Sequence, residues 1–377
     1  MTDAVVVGAG IVGTATAFEL ARRGVAVTLL DRAGAGEGTT GLGEGNALCC
    51  DKDAGPELDL TIAGMAMLNE LEPLMPHAAR IRRKGALIVH PDERTWAQEP
   101  ARAERLRAAG VDARLVDAAG VRALEPRLTG PLHGGLYVPT DLQCDPRGIA
   151  RALAQLARQE GAHVRAGAEV TAIESGAVRL RDGGRVRARA VVLAAGPWSA
   201  PLAASGGLDL PLEPRKGQLT RLRLPRPDPS FLRRKVVDGS YLLSVGSTDP
   251  GRQVSTVVET TWDGHVIAGS TRERCGFDAS VDAELAREVQ ERAARLVPDL
   301  AGLVPDATWV GFRPWLPDHL PAVGPSRIAE GLWVATGHEG AGVPLGPISG
   351  RLVAQAIAGE DPDVDLAPFD PDRFAER

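Results

Sequence analysis

An apolar run, Ala4-Val5-Val6-Val7, leads directly into Gly8-Ala9-Gly10-Ile11-Val12-Gly13. Few short patterns constrain a chain more. A buried strand must turn sharply at Gly8, Gly10 must leave the backbone bare for a pyrophosphate, and Gly13 must let the next helix lie against the strand. Ile11 to Arg23 is Ala-rich and helical in character, Gly24 stops it, and Val25 to Leu30 is a second apolar run ending at Asp31. Together these make one βαβ unit of about 30 residues. The helix N-terminus offers unpaired N–H groups to an anion. Asp31, 18 residues beyond Gly13, places a carboxylate where ribose hydroxyls can donate to it. The alternative is a glycine-rich turn in an α/β domain that binds nothing, and the fingerprint alone does not separate FAD from NAD.

Further runs extend the pattern. Residues 33–46 are dense in Gly and Thr and read as loop, whereas 57–71 regain helical spacing. An amphipathic helix is predicted over 147–160, closed by Gly161, with a strand starting at His163-Val164. Residues 178–190 alternate around Asp182-Gly183-Gly184 as a hairpin does, and 191–196 is an apolar strand running into glycine. The runs 217–224, 235–244, 253–261 and 265–270 predict mostly antiparallel sheet; 281–297 reads as helix, 332–335 as strand, and 347–358 as a helix beginning at Pro347.

At 377 residues the chain exceeds one ordinary core. The expected fold is α/β: a doubly wound, Rossmann-type domain from 1–80, 145–210 and 318–377, with an inserted, mostly antiparallel α+β substrate domain from 81–144 and 211–317.

Composition excludes several function classes. Lys plus Arg number 43 against 49 acids, a net charge of −6, so no overall positive field exists for nucleic-acid binding. No apolar run approaches the length of a transmembrane segment and no leader pattern opens the chain, so the expected compartment is the cytoplasm. The four cysteines, Cys49, Cys50, Cys144 and Cys275, include no CxxC, and neither they nor the histidines have metal-ligand spacing, so no metal is expected. The basic runs Arg80, Arg82, Arg83, Lys84 and Arg233, Arg234, Lys235 read as solvated edges or subunit contacts.

Beyond Asp31 the motifs accumulate. Asp31-Arg32 is followed by a Gly/Thr loop with Thr39-Thr40 and then by Gly45-Asn46-Ala47. Asp145-Pro146 precedes the central helix, and Ala195-Gly196-Pro197-Trp198-Ser199 follows an apolar strand. Pro214-Arg215-Lys216-Gly217-Gln218, then Gly311-Phe312-Arg313-Pro314 with Pro317-Asp318 and Pro321-Ala322-Val323-Gly324, then Gly337-His338-Glu339-Gly340-Ala341-Gly342, complete the series. In this order the chain resembles the D-amino-acid-oxidase-like flavoproteins, which include glycine and sarcosine oxidases and amino-acid or opine dehydrogenase subunits. Asp31 stands where the family more often has Glu.

The resemblance implies noncovalent FAD, with Gly8, Gly10, Ile11, Val12, Gly13, Asp31, Arg32, Thr39, Thr40, Gly45, Asn46, Ala47, Val170, Ala195, Gly196, Trp198, Gly337, Gly340, Ala341, Gly342 and Val343 around it. It also implies oxidation of the C–N bond of an amino acid or N-substituted amino acid, by hydride transfer to flavin N5 and hydrolysis of the imine to an oxo acid and an amine. Arg313 is the expected anchor of the substrate carboxylate, since a guanidinium holds it through two parallel bonds; the alternative is an ion pair with an interior acid. His338 is the second catalytic candidate, or else a loop histidine holding backbone. Tyr241 and Trp262 are the candidates for a substrate-facing aromatic. His319 reads as a turn residue, Lys216 as a surface lysine, and neither Cys50 nor Cys275 sits in a flavin-tethering motif. Two rival readings are a 2-hydroxy-acid dehydrogenase and a non-catalytic flavin-holding subunit. The family leaves open an electron-transfer partner subunit or a homo-oligomer, and oxidase or dehydrogenase chemistry.

Overall fold

The computed structural model describes residues 2–375. Strand β1 (Ala4–Val7), helix α1 (Ile11–Ala21) and strand β2 (Val27–Leu30) form the predicted βαβ unit. All four residues of β1 are buried, because both faces of its sheet are covered. Ala4 and Val6 point toward α1 and the helix Gly342–Ala358, sharing a cluster with Ile11, Ala15 and Leu352. Val5 and Val7 point the other way, against Ile173, Val178 and Leu180 of a small three-stranded sheet. Period-two alternation thus divides one apolar run between two cores.

The main sheet has six strands, in the order Ala322–Pro325, Leu332–Thr336, Ala190–Leu193, β1, β2 and His163–Arg165. All pairings are parallel except the one between Ala322–Pro325 and Leu332–Thr336. The turns that follow β1, β2, Ala190–Leu193 and Leu332–Thr336 therefore gather along one carboxyl edge, where open α/β sheets bind their ligands.

A second sheet of eight strands runs in the order Pro305–Trp315, Glu213–Leu222, Val266–Arg272, Gln253–Thr260, Lys235–Asp238, Ala86–His90, Gly134–Val138 and Arg114–Asp117. Its pairings are antiparallel except that between Lys235–Asp238 and Ala86–His90. The helix Ala283–Leu296 buries Val289, Ala293 and Leu296 against this sheet.

Some expectations need correction. The run 235–244 is not one strand: it ends at Asp238, whose carboxylate accepts from Ser240 N–H at 2.8 Å, and Tyr241–Val245 is a helical turn. The last helix begins at Gly342, five residues before Pro347, which lies inside it. A proline lacks only one N–H and is tolerated near a helix start. Residues 33–46 are not all loop, for Thr39–Leu42 forms a 3₁₀ turn and Asn46-Ala47 pairs with Leu142-Gln143. Among the described residues no helix is long and apolar enough to cross a membrane.

Candidate active site

A cavity of about 650 Å³ opens along the carboxyl edge of the parallel sheet and reaches the face of the eight-stranded sheet. One wall is the start of α1. The Gly13 Cα hydrogens face Gly8 carbonyl, where a Cβ would stand 1.8 Å from that oxygen. Only glycine lets α1 approach β1 this closely. The N-cap residues Gly10 and Ala341 cap neither α1 nor the helix Gly342–Ala358 with a side chain, and the first residues of both line the cavity. Two positive helix ends therefore face one space. Ile11 N–H donates to Thr40 Oγ1 at 3.1 Å, which draws the 39–42 turn over the helix start.

Asp31 lies at the end of β2. Its carboxylate accepts from Ala9 N–H at 2.8 Å, Ala33 N–H at 2.7 Å and Gly34 N–H at 2.8 Å, and it lines the cavity. A carboxylate has about four acceptor positions, so capacity for a sugar hydroxyl remains. The Arg32 guanidinium lies 3.9 Å above the Trp198 ring, closing the rim beside it.

Arg313 rises from the long strand Pro305–Trp315, in register with Arg215 of Glu213–Leu222. Its guanidinium lies over Gly217, where a Cβ would come within 2.2 Å of Nη1. Nη1 donates to the Thr271 carbonyl at 3.0 Å, and no acid among the described residues pairs with the guanidinium. The ion-pair alternative for Arg313 is thereby set aside. Burial, with Arg272 nearby, pushes Arg313 down to about 10, still charged at neutral pH.

His338 is buried, its Nε2 2.9 Å from Ser349 Oγ, and burial pushes it down to about 3, so the imidazole is neutral. Next to it, Glu339 meets Arg215 at 2.5 Å and His319 Nδ1 at 3.2 Å. Burial alone would raise this carboxyl, but His319 and Arg215 outweigh it and hold it at about 2. His319 keeps its turn position and Lys216 binds Asp278 at 2.8 Å; neither lines the cavity.

The structure brings together Gly8, Gly10, Ile11, Val12, Asp31, Arg32, Thr39, Thr40, Gly45, Asn46, Val170, Ala195, Gly196 and Trp198, together with Gly340, Ala341, Gly342, Val343, Arg313, His338 and Tyr241. It leaves four candidates outside the lining. Gly13 serves the helix–strand contact instead, Ala47 is fully buried in its strand pair, and Gly337 packs on Leu316. Trp262 stacks under the Arg82 guanidinium at 3.7 Å, in a separate hollow beside Arg80, Arg221 and Trp309. Of the two candidate aromatics, only Tyr241 faces the cavity.

Sequence reasoning missed Glu44, Asp51, Lys52, Lys235 and Glu339, all of which line the cavity. The basic runs are also not wholly solvated edges: Lys235 is buried and the Lys84 side chain is 8% exposed, both on Glu259, Lys84 Nζ at 2.8 Å and Lys235 Nζ at 3.9 Å. Asp51 and Lys52 are set in place by the backbone of 49–52. Asp141 accepts from Cys49 N–H at 2.8 Å and Cys50 N–H at 3.1 Å, while Arg102 donates to the Cys50 and Lys52 carbonyls.

Burial pushes the Asp141 carboxyl up to about 7 despite those N–H donors. An unfolded aspartate releases its proton near pH 4. Between the two values the folded chain binds more protons, so its stability falls as pH rises through that window. Asp141→Asn should remove on the order of 3 kcal/mol of this pH dependence. Tm measured at pH 5 and pH 7.5 with fixed FAD checks it: the parent should lose more than the variant between the two.

The electrostatics suit an elongated cofactor with a negative centre and an electron-accepting ring. Gly10 to Val12 and Asp31 fit a pyrophosphate and a ribose, and Gly340 to Val343 fit the electron-rich edge of the ring. Comparison with known proteins agrees. A family model described as FAD dependent oxidoreductase matches residues 3–356. A glycine oxidase of Pseudomonas aeruginosa is 32% identical over 97% of this chain and 98% of its own. The crystal structure of glycine oxidase from Geobacillus kaustophilus superposes with a TM-score of 0.87 at 28% identity, covering 99% of this chain and 98% of that one. An iminodiacetate oxidase from Chelativorans sp. BNC1 gives 0.83 at 27% identity, covering 98% of each.

Proposed function

The chain belongs to the FAD-dependent oxidoreductase family, in which its relatives include glycine oxidases, and on that premise we propose that its own substrate is an amino acid or N-substituted amino acid bound through its carboxylate and oxidised at the C–N bond. The observation that carries this reading is Arg313, a half-buried guanidinium in the cavity wall without an acid partner among the described residues. A cation taken from water and left unpaired costs several kcal/mol, so its place makes sense when a ligand supplies the anion.

FAD, when bound, accepts the hydride that leaves the substrate α-carbon. Gly10 to Val12 and Asp31 would hold its phosphates and ribose, and Gly340 to Val343 would support the ring. Arg313 grips the carboxylate through two bonds and fixes the α-carbon at one height above Gly217. Tyr241 bounds the same end of the cavity. The amine lone pair supplies the electrons for the C=N bond as the C–H bond breaks, so no protein base is required once the amine is neutral. Water then adds to the imine and releases an oxo acid and an amine.

His338 is a poor proton acceptor at neutral pH, because burial pushes it down to about 3 and its Nε2 is already engaged with Ser349 Oγ. Accordingly kcat/KM should rise with pH along a limb set by the substrate amine, and His338→Asn should leave that limb in place. A limb lost in the variant would make His338 the titrating group. The buried free thiols of Cys49, Cys50 and Cys144 accord with a cytoplasmic enzyme, and no tether to FAD is expected from Cys50 or Cys275, neither of which lines the cavity.

The decisive experiment is anaerobic. FAD-loaded protein is mixed with amino acids, N-alkyl amino acids, opines and 2-hydroxy acids while flavin absorbance is followed. Bleaching by amine-bearing acids supports the reading; bleaching by hydroxy acids alone replaces it, and bleaching by none makes the chain a flavin-holding subunit. Mixing the reduced protein with oxygen then separates oxidase from dehydrogenase, and very slow reoxidation calls for a partner that carries electrons onward.

A further inference from the structure

The cavity holds a second charged group that the carboxylate anchor does not use. Glu44 follows the 39–42 turn and lines the cavity beside Lys235, with its side chain 16% exposed. Oε2 takes the ammonium of Lys235 and lies 3.4 Å from Asn46 Nδ2, whereas Oε1 accepts from no described residue. Lys235 cannot swing away. It is buried, and Glu259 beyond it is locked by Asn46 Nδ2 at 2.5 Å, Gln143 Nε2 at 2.8 Å and Lys84 Nζ at 2.8 Å. Glu44 and Glu259 therefore balance Lys84 and Lys235, and Oε1 is the one oxygen left over, on a side chain that lines the cavity.

Its position matches the anchor. Arg313 lies over Gly217, while a Cβ on Gly269 would stand 2.4 Å from the Leu219 side chain and 3.6 Å from Glu44 Oε1. Gly217 and Leu219 are two residues apart on one strand face and both line the cavity, a separation of about 7 Å. An α-amino acid spans such a gap: two hydrogen bonds of about 3 Å each, one to either end group, flank the short path from its carboxylate to its nitrogen.

Resting on the amino-acid reading above, we propose that Glu44 Oε1 receives an N–H of the substrate's amino group, with Lys235 as the positioning residue, and that this contact selects amine-bearing acids over their 2-hydroxy counterparts. A carboxylate only accepts, so it rewards a donor that carries charge and more than one hydrogen. A hydroxyl offers one hydrogen and no charge.

Glu44→Gln keeps the shape and reverses the preference. In FAD-loaded enzyme, with whichever of glycine, sarcosine and L-proline reduces the flavin fastest, kcat/KM should fall about 30- to 100-fold, mostly through KM. The kcat limb should move to lower pH, because the carboxylate no longer favours the ammonium form. The Kd of acetate, read from the flavin spectrum, should stay within about twofold, since acetate has no amine to lose. Turnover of glycolate or L-lactate relative to the amino acid should rise.

Equal losses for acetate and the amino acid, or an unmoved limb with unchanged KM, would overturn the assignment while leaving the amino-acid reading intact. Reduction of the parent enzyme by hydroxy acids and by none of the three amino acids overturns both. If Glu44→Gln does not retain FAD, Glu44→Asp replaces it; a carboxylate one methylene shorter should give a smaller KM increase with the limb unmoved, and a full loss of acetate binding there would also overturn the role.

Discussion

Arg313→Ala is expected to lower kcat/KM for the amino-acid substrate about 10²- to 10³-fold, with the flavin still bound. Two charge-assisted bonds are lost at once, in a wall where water competes poorly. Because the guanidinium also fixes the α-carbon, kcat should fall along with the rise in KM. Arg313→Lys should recover only part of the loss, for a point charge does not reproduce the two-pronged grip. Stability should move the opposite way. Burial has already pushed Arg313 down to about 10, and no acid among the described residues would be orphaned by its removal. Arg313→Met should therefore match or exceed the parent in Tm, while Arg313→Ala also gives up packing. A sharp fall in Tm for Arg313→Met, or lost flavin with unaltered substrate affinity, would make this arginine a structural residue.

Gly13→Ala should yield protein that is nearly colourless as purified, with FAD affinity reduced by at least about 100-fold. The added methyl would lie 1.8 Å from the Gly8 carbonyl oxygen, with the Ala194 side chain also close, so α1 must move off β1. That shift carries away the Gly10 to Val12 backbone that would hold the phosphates. Gly24→Ala is the control. Gly24 has φ +76° and nothing within 4 Å of a Cβ, so that variant should lose about 1 kcal/mol of stability and keep its colour. Retention of normal FAD absorbance by Gly13→Ala would show that the turn tolerates a side chain and that the cradle lies elsewhere.

The readable features were those whose cause is local. β1, α1 and β2 follow from an apolar run, three glycines and a second run, all within a single stretch of the chain. Arg313 was legible because its neighbours Gly311 and Pro314 mark it out. Tyr241 was noticed, but as a strand residue; the turn begun by Asp238 is what carries it to the cavity, and alternation cannot display a turn that close to a strand end. Glu44 and Lys235 were lost for a different reason. Lys235 ends a basic triplet, yet it opens a strand buried on both faces, and its acid partners stand at positions 44 and 259. The sequence carries both halves of that pairing and nothing that joins them. The strands Ala86–His90 and Gly134–Val138 were overlooked likewise, since what makes them strands is the rest of their sheet.

Glu44, Lys84, Lys235 and Glu259 converge from four distant points of the chain. Replacing Glu259, or taking Glu44 from beside the buried Lys235, strands a charge away from water, a loss of up to about 3–5 kcal/mol, whereas trading the whole group for well-fitted apolar side chains would be nearly neutral. Substitution at these positions is therefore expected to be concerted. A descendant of this protein with a different appetite would have to pass through paired or fourfold exchange, and the pocket's chemistry is inherited as a block.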